Sequence, residues 1–165
     1  MRRIVAISVA ITLLAMVPET RVIAASAPHG NTSSAATAPD RLVIDRLVFN
    51  VPLERFRSER SRERRRHVWL ITATDGCSAP VVGSGGRSFN FRLACERHDL
   101  AYANYRALHR LGLGVTWDST LRSLVDDQFQ RDLQRSCTSR RHSERLRCDA
   151  WAVVYFHAVR LAAGP

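Results

Sequence analysis

Lysine is absent from this chain of 165 residues, and all 25 of its basic residues are arginine. Only 15 acidic residues oppose them, which leaves a net charge of +10. Exclusive use of arginine indicates a GC-rich coding bias, so part of this pattern is attributed to the genome. The remaining positive charge favours contact with phosphates, as in anionic lipid headgroups, nucleic acid or acidic polysaccharide.

The sequence also lacks an apolar run of ordinary transmembrane length at its start. Residues 4–17 are apolar apart from two polar positions, but this stretch is too short to span a bilayer. Arg2 and Arg3 precede it and small residues follow at 24–27, a pattern typical of a secretory signal peptide. We therefore predict that residues 1–25 are a signal peptide and that the protein is secreted; an uncleaved anchor is the alternative.

Cysteine is scarce, and none of the four cysteines forms a CxxC pair, which disfavours a zinc site. An even number of cysteines in an exported chain predicts two disulfides, for which three pairings exist. We favour Cys77–Cys95 and Cys137–Cys148, because each bridge closes a modest local loop. Each is expected to contribute about 3 kcal/mol by restricting the unfolded chain.

Neither an internal repeat nor a strong β-strand pattern occurs, so helices are expected to form the fold. Residues 26–39 have the Ser, Ala, Thr and Pro content of a linker. Asp40 is a candidate cap for a short helix that follows. Residues 55–66 are dense in Arg and Glu, which predicts a solvated helix or flexible tether, with an anion-binding patch or a processed pro-segment as alternatives. We assign residues 26–67 to this N-terminal segment and residues 68–165 to the folded domain.

Three helices are predicted in the folded domain. The first covers about residues 92–111 and is ended by Gly112 and Gly114. The second ends near residue 136, and the third covers residues 149–162. Three neighbouring residues can cap the second helix: Asp118, Ser119 and Thr120.

The first predicted helix carries a histidine beside a carboxylate. At about 100° per residue, Cys95, His98 and Tyr102 share one face and Asp99 lies at its edge. His98 is therefore expected to face a partner helix, while Asp99 reaches sideways toward a loop. Because a neutral imidazole can take a proton from water, His98 is a candidate general base.

Oxygen ligands for a hard cation are expected at the same turn. A Cys77–Cys95 bridge would bring Asp75 and the carbonyl of Gly76 toward Asp99. Two carboxylates and a backbone carbonyl are ligands that Ca²⁺ accepts, and so sparse a set predicts weak binding, in about the millimolar range. Together with His98, these residues indicate calcium-assisted ester hydrolysis.

The second helix supplies candidates for the acceptor that holds the other nitrogen of His98. Asp126 lies at the edge of the apolar stripe of this helix, and Asp132 lies within it. Asp127 points to the opposite, solvated side. Helical phase therefore rejects Asp127 but does not choose between Asp126 and Asp132.

Four sequence motifs together resemble the secreted phospholipase A2 family, in its small bacterial and fungal branch. The resemblance covers about residues 68–162. The motifs are Thr74-Asp75-Gly76-Cys77, Cys95-x-Arg-His98-Asp99-x-x-Tyr102-x-Asn104-Tyr105, Asp126-x-x-Phe129-x-x-Asp132-Leu133 with Cys137, and Cys148-x-x-Trp151.

The resemblance implies an all-α, disulfide-stapled domain built on two long antiparallel helices plus a C-terminal helix. It implies hydrolysis of the sn-2 ester of glycerophospholipids, which releases a free fatty acid and a lysophospholipid. It also implies a role for each site residue: His98 activates water, Asp126 orients His98, Tyr102 supports that pair, and Asp99, Asp75 and the Gly76 carbonyl bind Ca²⁺.

The expected partner is the surface of a phospholipid membrane or micelle, bound peripherally and preferentially when anionic. No nucleic acid is expected, and the protein is predicted to be a monomer. Two other functions stay open on the sequence alone. One is a catalytically silent, phospholipase-like lipid-binding module, and the other is a cationic secreted protein that binds anions through its arginines.

Overall fold

The structure, a computed structural model, describes residues 33–76 and 89–162. Within these ranges the chain forms helices and no β-strand, which confirms the predicted all-α class. A π-helical turn (Arg46–Asn50) and a short 3₁₀ helix (Leu53–Arg55) connect the first two helices. The α-helices are α1 (Ser33–Asp45), α2 (Phe56–Arg66), α3 (Arg92–Arg110), α4 (Ser119–Arg135) and α5 (His142–Ala162).

The bounds of α3 and α4 follow from local residue choice. Gly112 and Gly114 adopt φ of 65° and 69°, a left-handed conformation that glycine tolerates and that ends α3. Asp118 is the cap of α4, because its side chain accepts a hydrogen bond from the backbone N–H of Leu121 at 2.9 Å. The third predicted helix begins earlier than expected, at His142.

Helices α3 and α4 lie antiparallel. Positions 97, 98 and 102 of α3 contact positions 132, 126 and 122 of α4, respectively. Later positions in α3 thus meet earlier positions in α4, as the sequence predicted for the two long helices. This arrangement brings the middle of each helix, where the candidate site residues lie, against the other.

A disulfide joins the end of α4 to α5. It links Cys137 to Cys148, the pairing favoured from the sequence. Cys95 is also disulfide-bonded, but Cys77 lies outside the described residues, so the Cys77–Cys95 pairing stays a prediction. Phe129 of α4 and Phe156 of α5 bring their rings to 6.5 Å, so α5 packs along α4 beyond the bridge.

Residues 44–56 of the N-terminal segment contribute to the hydrophobic core, and the domain boundary at residue 68 stays a prediction. Ile44, Leu47 and Val48 are at most 1% exposed, and so is Phe56 at the start of α2. These residues pack with α3 and α4. The apolar stretch that contains these residues is short, and an Arg-rich run follows it. The sequence pattern therefore did not indicate that they belong to the core.

Two arginines of α2 bind another helix instead of pointing only into solvent. Arg57 makes two hydrogen bonds to Glu96 of α3, at 2.9 and 2.7 Å, and Arg60 approaches the same carboxylate at 3.3 Å. Glu96 is 3% exposed, and the hydrogen bond from Arg57 is the chief cause of its lowered pKa. The helix predicted here therefore forms, and it binds α3 through ion pairs with one buried carboxylate.

Two further expectations concern the chain before α2. Asp40 lies inside α1 and does not cap a helix. The predicted signal peptide, residues 1–25, lies outside the described residues. In the described part of the chain, no helix combines the length and apolar character needed to cross a membrane.

Candidate active site

His98 and Asp126 form a buried hydrogen-bonded pair between α3 and α4. Nε2 of His98 lies 3.0 Å from Oδ1 of Asp126, and the two residues are 5% and 1% exposed. Burial alone would raise the pKa of Asp126, but hydrogen bonds from His98 and Tyr102 outweigh it, and the pKa is lowered. An ionised carboxylate only accepts hydrogen bonds, so Nε2 carries the proton and Nδ1 keeps a lone pair. Nδ1 of His98 can therefore act as a base.

Tyr102 is a second donor to the same carboxylate oxygen. Its hydroxyl donates to Oδ1 of Asp126 at 2.8 Å and accepts a hydrogen bond from Nε of Arg122 at 3.1 Å. Burial and the neighbouring Asp126 raise the pKa of Tyr102 to about 12. The phenol consequently stays protonated near neutral pH and remains a donor.

Two aromatic rings fix the plane of the imidazole. The ring centroids of Tyr102 and Phe129 lie 4.3 and 4.6 Å from that of His98. These contacts shield the imidazole from solvent and restrict its rotation. Phe129 of α4 therefore helps to define the geometry of His98.

An open cleft holds the two carboxylates that the sequence predicted as cation ligands. Its volume is about 480 Å³, and Asp75 and Asp99 line it together with Thr74 and Tyr102. Burial is the main cause of the raised pKa of Asp99, and the negative charge of Asp75 adds to it. A cleft in which the charge of Asp75 disfavours the ionisation of Asp99 is suited to a cation.

Gly76 contacts Asp99 through its N–H group. This N–H donates to Oδ2 of Asp99 at 3.2 Å, and the hydroxyl of Thr74 donates to the same oxygen. Gly76 has φ +65°, and a Cβ there would meet only the flexible side chain of Arg92, at 3.9 Å. The turn therefore needs glycine for its backbone conformation, and the carbonyl role of Gly76 stays a prediction.

The described residues contain no group of three or more His, Cys, Asp or Glu placed to hold a metal ion. A cation at Asp75 and Asp99 would therefore require backbone, water or substrate oxygens to complete its shell. Calcium accepts such a mixed shell.

His98 does not itself line the cleft, although Asp99 and Tyr102 do. Asp99 is its neighbour in the chain, and the ring of Tyr102 packs against its imidazole at a tilt of 40°. The base and the two carboxylates are thus linked through Tyr102 and one turn of α3. The approach to the imidazole is narrow, because only 5% of His98 is exposed.

Asp132 does not contact His98. Its Oδ2 lies 3.5 Å from Nε of Arg97, in a second buried ion pair between α3 and α4. The structure therefore places Asp126 beside His98, where helical phase alone had left both aspartates open.

Two arginines near Asp126 were missed by the sequence analysis. Nε of Arg160, near the end of α5, lies 3.2 Å from Oδ2 of Asp126, and Nε of Arg122 lies 3.8 Å from the same oxygen. Arg122 precedes Asp126 by four residues on one helix, a salt-bridge spacing that the sequence displays. Arg160 comes from a different helix, and no local pattern indicates its contact.

Comparison with known proteins identifies a family that covers most of the chain. Residues 44–163 match the family model of prokaryotic phospholipase A2. The match begins at Ile44, the first buried residue in the described part of the N-terminal segment.

Two fungal proteins are similar in sequence. A secretory phospholipase A2 of Arthroderma benhamiae is 31% identical over 143 residues, which cover 84% of this chain and 86% of that protein. A secretory phospholipase A2 of Beauveria bassiana is 32% identical over 126 residues, which are 76% of this chain. The chain spans 60% of the length of the Beauveria protein. With the helical fold, the His98–Asp126 pair and the family match over residues 44–163, the chain belongs to the prokaryotic phospholipase A2 family of ester-hydrolysing enzymes.

Proposed function

We propose that the protein is a secreted, calcium-dependent phospholipase A2 that hydrolyses the sn-2 ester of glycerophospholipids to a free fatty acid and a lysophospholipid. One observation carries the proposal. The hydrogen-bonded pair of His98 and Asp126 lies directly beside Asp99, and Asp99 shares an open cleft with Asp75. A base and a cation site thus meet at one turn of α3.

In this mechanism, Nδ1 of His98 takes a proton from water while the water oxygen attacks the ester carbonyl. Asp126 stays ionised, keeps the Nε2 proton in place and stabilises the imidazolium that forms. His98 then returns the proton to the leaving alkoxide of the lysophospholipid. Tyr102 holds the carboxylate of Asp126 through its hydroxyl throughout.

Asp75, Asp99 and the carbonyl of Gly76 are the groups that would hold Ca²⁺. The carboxylates fit a divalent cation, because their mutual repulsion contributes to the raised pKa of Asp99. When bound, Ca²⁺ would supply positive charge for the substrate phosphate and for the developing oxyanion. Two carboxylates in an open cleft support weak binding, in about the millimolar range.

Exposed arginines beyond the cleft support the preference for anionic lipid surfaces. Asp99, Ala103, Arg106 and Arg110 share one face of α3 at about 100° per residue. Arg106 and Arg110 are exposed and pair with no acidic residue in the described part of the chain. A peripheral, monomeric enzyme with this face toward the membrane would place guanidinium groups near lipid phosphates.

Release of fatty acid from phosphatidylcholine vesicles, titrated with Ca²⁺ and reversed by a chelator, tests the proposal. Replacing His98 with Ala removes the base, and we expect hydrolysis to fall by about 10³-fold. The matched control is His142→Ala, which removes an exposed histidine at the start of α5 and should leave the rate unchanged. Near-UV circular dichroism checks that each variant is folded.

Each other outcome favours a different conclusion. Normal turnover by folded His98→Ala protein would show that the mechanism is wrong. Vesicle binding by the wild-type protein without fatty acid release would identify a silent lipid-binding module. Calcium-independent, salt-sensitive binding to a polyanion, again without hydrolysis, would identify a cationic anion-binding protein.

A further inference from the structure

The two oxygens of Asp126 have different surroundings. Oδ1 accepts hydrogen bonds from His98 and Tyr102. Oδ2 is buried and accepts no hydrogen bond from the residues that the structure describes. The cations nearest to it are Nε of Arg160 at 3.2 Å and Nε of Arg122 at 3.8 Å. The negative charge on this side of the carboxylate is therefore balanced by guanidinium groups alone.

Rotation of the Asp126 carboxylate would disturb the base. The torsion between a side chain and its carboxylate is soft, so packing and polar contacts must select its orientation. If Oδ2 lost its cations, this side of the carboxylate would be buried without a compensating charge, and the group would gain by turning toward other donors. A contact at Oδ2 thus decides how well Oδ1 points at Nε2 of His98.

Arg160 is well placed to provide this contact. Nη2 of Arg122 donates to the backbone carbonyl of Arg160 at 3.2 Å, and Nε of Arg122 also donates to the hydroxyl of Tyr102. The guanidinium of Arg160 lies over the ring of Phe156, 5.5 Å from its centroid. Both the backbone and the side chain of Arg160 are therefore fixed relative to Asp126.

We propose that Arg160 is a positioning residue for hydrolysis: its guanidinium holds Oδ2 of Asp126 so that Oδ1 stays directed at His98. The inference rests on the proposed function and adds the C-terminal helix to the catalytic site. A cation beside Asp126 opposes the positive charge that His98 acquires during the reaction. The benefit of Arg160 is therefore orientation of the carboxylate and not electrostatic stabilisation of the imidazolium.

Steady-state kinetics of Arg160→Ala test the proposal, with a short-chain, monomeric phosphatidylcholine as substrate and saturating Ca²⁺. Loss of a side chain that orients a reacting group without contacting the substrate lowers activity by about tenfold. We expect this loss in kcat, with KM and the calcium dependence unchanged, because Arg160 acts only through Asp126. The matched control is Arg147→Ala, on the same helix, where the arginine is exposed and has no acidic partner in the described residues. Its kcat should equal that of the wild type.

Chemical rescue separates positioning from a purely structural role. The side chain of Arg160 is 46% exposed, so a small cation from solution can enter the space that Ala leaves. Millimolar guanidinium should raise the kcat of Arg160→Ala several-fold. It should not restore activity to Asp126→Ala. Arg160→Lys should retain most of the wild-type kcat, because it keeps a cation at similar reach.

Wild-type kcat in Arg160→Ala would overturn the inference, as would an equal loss in Arg147→Ala or a folded Arg160→Ala protein that guanidinium does not rescue. If Arg160→Ala fails to fold, Arg160→Gln replaces it, and a wild-type kcat in that variant or an equal loss in Arg147→Ala would overturn the inference. Failure of the proposed function would look different, because the wild-type enzyme and Arg147→Ala would then release no fatty acid.

Discussion

Asp126 and Asp132 lie on the same helix, are 1% and 3% exposed, and each faces a nitrogen-bearing side chain of α3. Despite this similarity, their pKa values move in opposite directions. The pKa of Asp126 is lowered from its ordinary value, whereas that of Asp132 is raised to about 6. Two carboxylates with nearly equal burial thus differ in how readily they carry a charge.

Hydrogen bonding to the ionised form accounts for the lowered pKa of Asp126. Asp126 accepts from His98 and Tyr102, and these bonds outweigh the cost of its burial. Asp132 accepts one hydrogen bond, from Gln128 at 3.0 Å, and Arg97 faces its other oxygen at 3.5 Å without a hydrogen bond. Burial therefore dominates at Asp132.

The comparison shows that a perturbed pKa does not by itself mark the catalytic carboxylate. The raised pKa belongs to Asp132, which faces Arg97 of α3. The pKa of Asp126, the proposed partner of the base, is lowered, which suits a carboxylate that keeps its charge beside His98. The direction of the shift and its cause identify the role.

The largest expected contrast between the two aspartates is in activity. An amide at position 126 can present N–H to His98 and favour the wrong tautomer, so we expect Asp126→Asn to lower kcat by about 10³-fold. Asp132→Asn should leave kcat unchanged, because Asp132 does not contact His98. Fatty acid release by the two purified variants provides the measurement. Equal losses would show that the two carboxylates are not functionally distinct.

A smaller contrast is expected in the pH dependence of stability. The pKa of Asp132 is about 6 in the native state and near 3.8 in the unfolded chain. The native state therefore binds the proton of the Asp132 carboxyl more tightly than the unfolded chain does. The stability that this proton contributes is present below pH 4 and is lost as pH rises through 6. In urea unfolding, this group should make the free energy of unfolding about 2 kcal/mol lower at pH 7 than at pH 4. Asp132→Asn should lack this contribution.

The exposed Asp127→Asn is the control for this measurement, and its stability should follow the wild-type curve. Parallel curves for the wild type and Asp132→Asn would contradict a raised pKa at Asp132.

The smallest expected effect concerns the second donor to Asp126. Tyr102→Phe removes one hydrogen bond to Asp126 while keeping the ring on His98. A loss of about 1 kcal/mol corresponds to a roughly fivefold lower kcat. Tyr105→Phe is the matched control, because the hydroxyl of Tyr105 donates to Asp45, away from the site. It should lower stability but not kcat, and a larger loss in Tyr105→Phe than in Tyr102→Phe would reject the role of Tyr102.

Local features of the sequence predicted much of the helical framework. The turn residues Gly112 and Gly114 located the end of α3, and Asp118 was among the candidate caps of α4. These signals succeed because a left-handed turn or a cap depends on one or two residues. The side of α4 that faces the core also followed from its 3.6-residue periodicity, which rejected Asp127.

Long-range partners were not predictable in this way. Helical phase did not choose between Asp126 and Asp132, because both are in fact buried. The register between α3 and α4 decides which of them meets His98. The arginines of α2 looked solvated because their partner, Glu96, lies on a helix distant in sequence. Arg160 was missed for the same reason. Contacts of this kind are set by packing, which has no local signature.

The bond between α2 and Glu96 also constrains how this protein can be recombined with its relatives. Arg57, Arg60 and Arg92 converge on the carboxylate of Glu96, two residues before His98, the proposed base. A chimera with a foreign first segment that lacks Arg57 and Arg60 would leave the buried carboxylate of Glu96 with Arg92 as its remaining partner among the described residues. Swaps between homologues should therefore exchange positions 57, 60 and 96 as one unit.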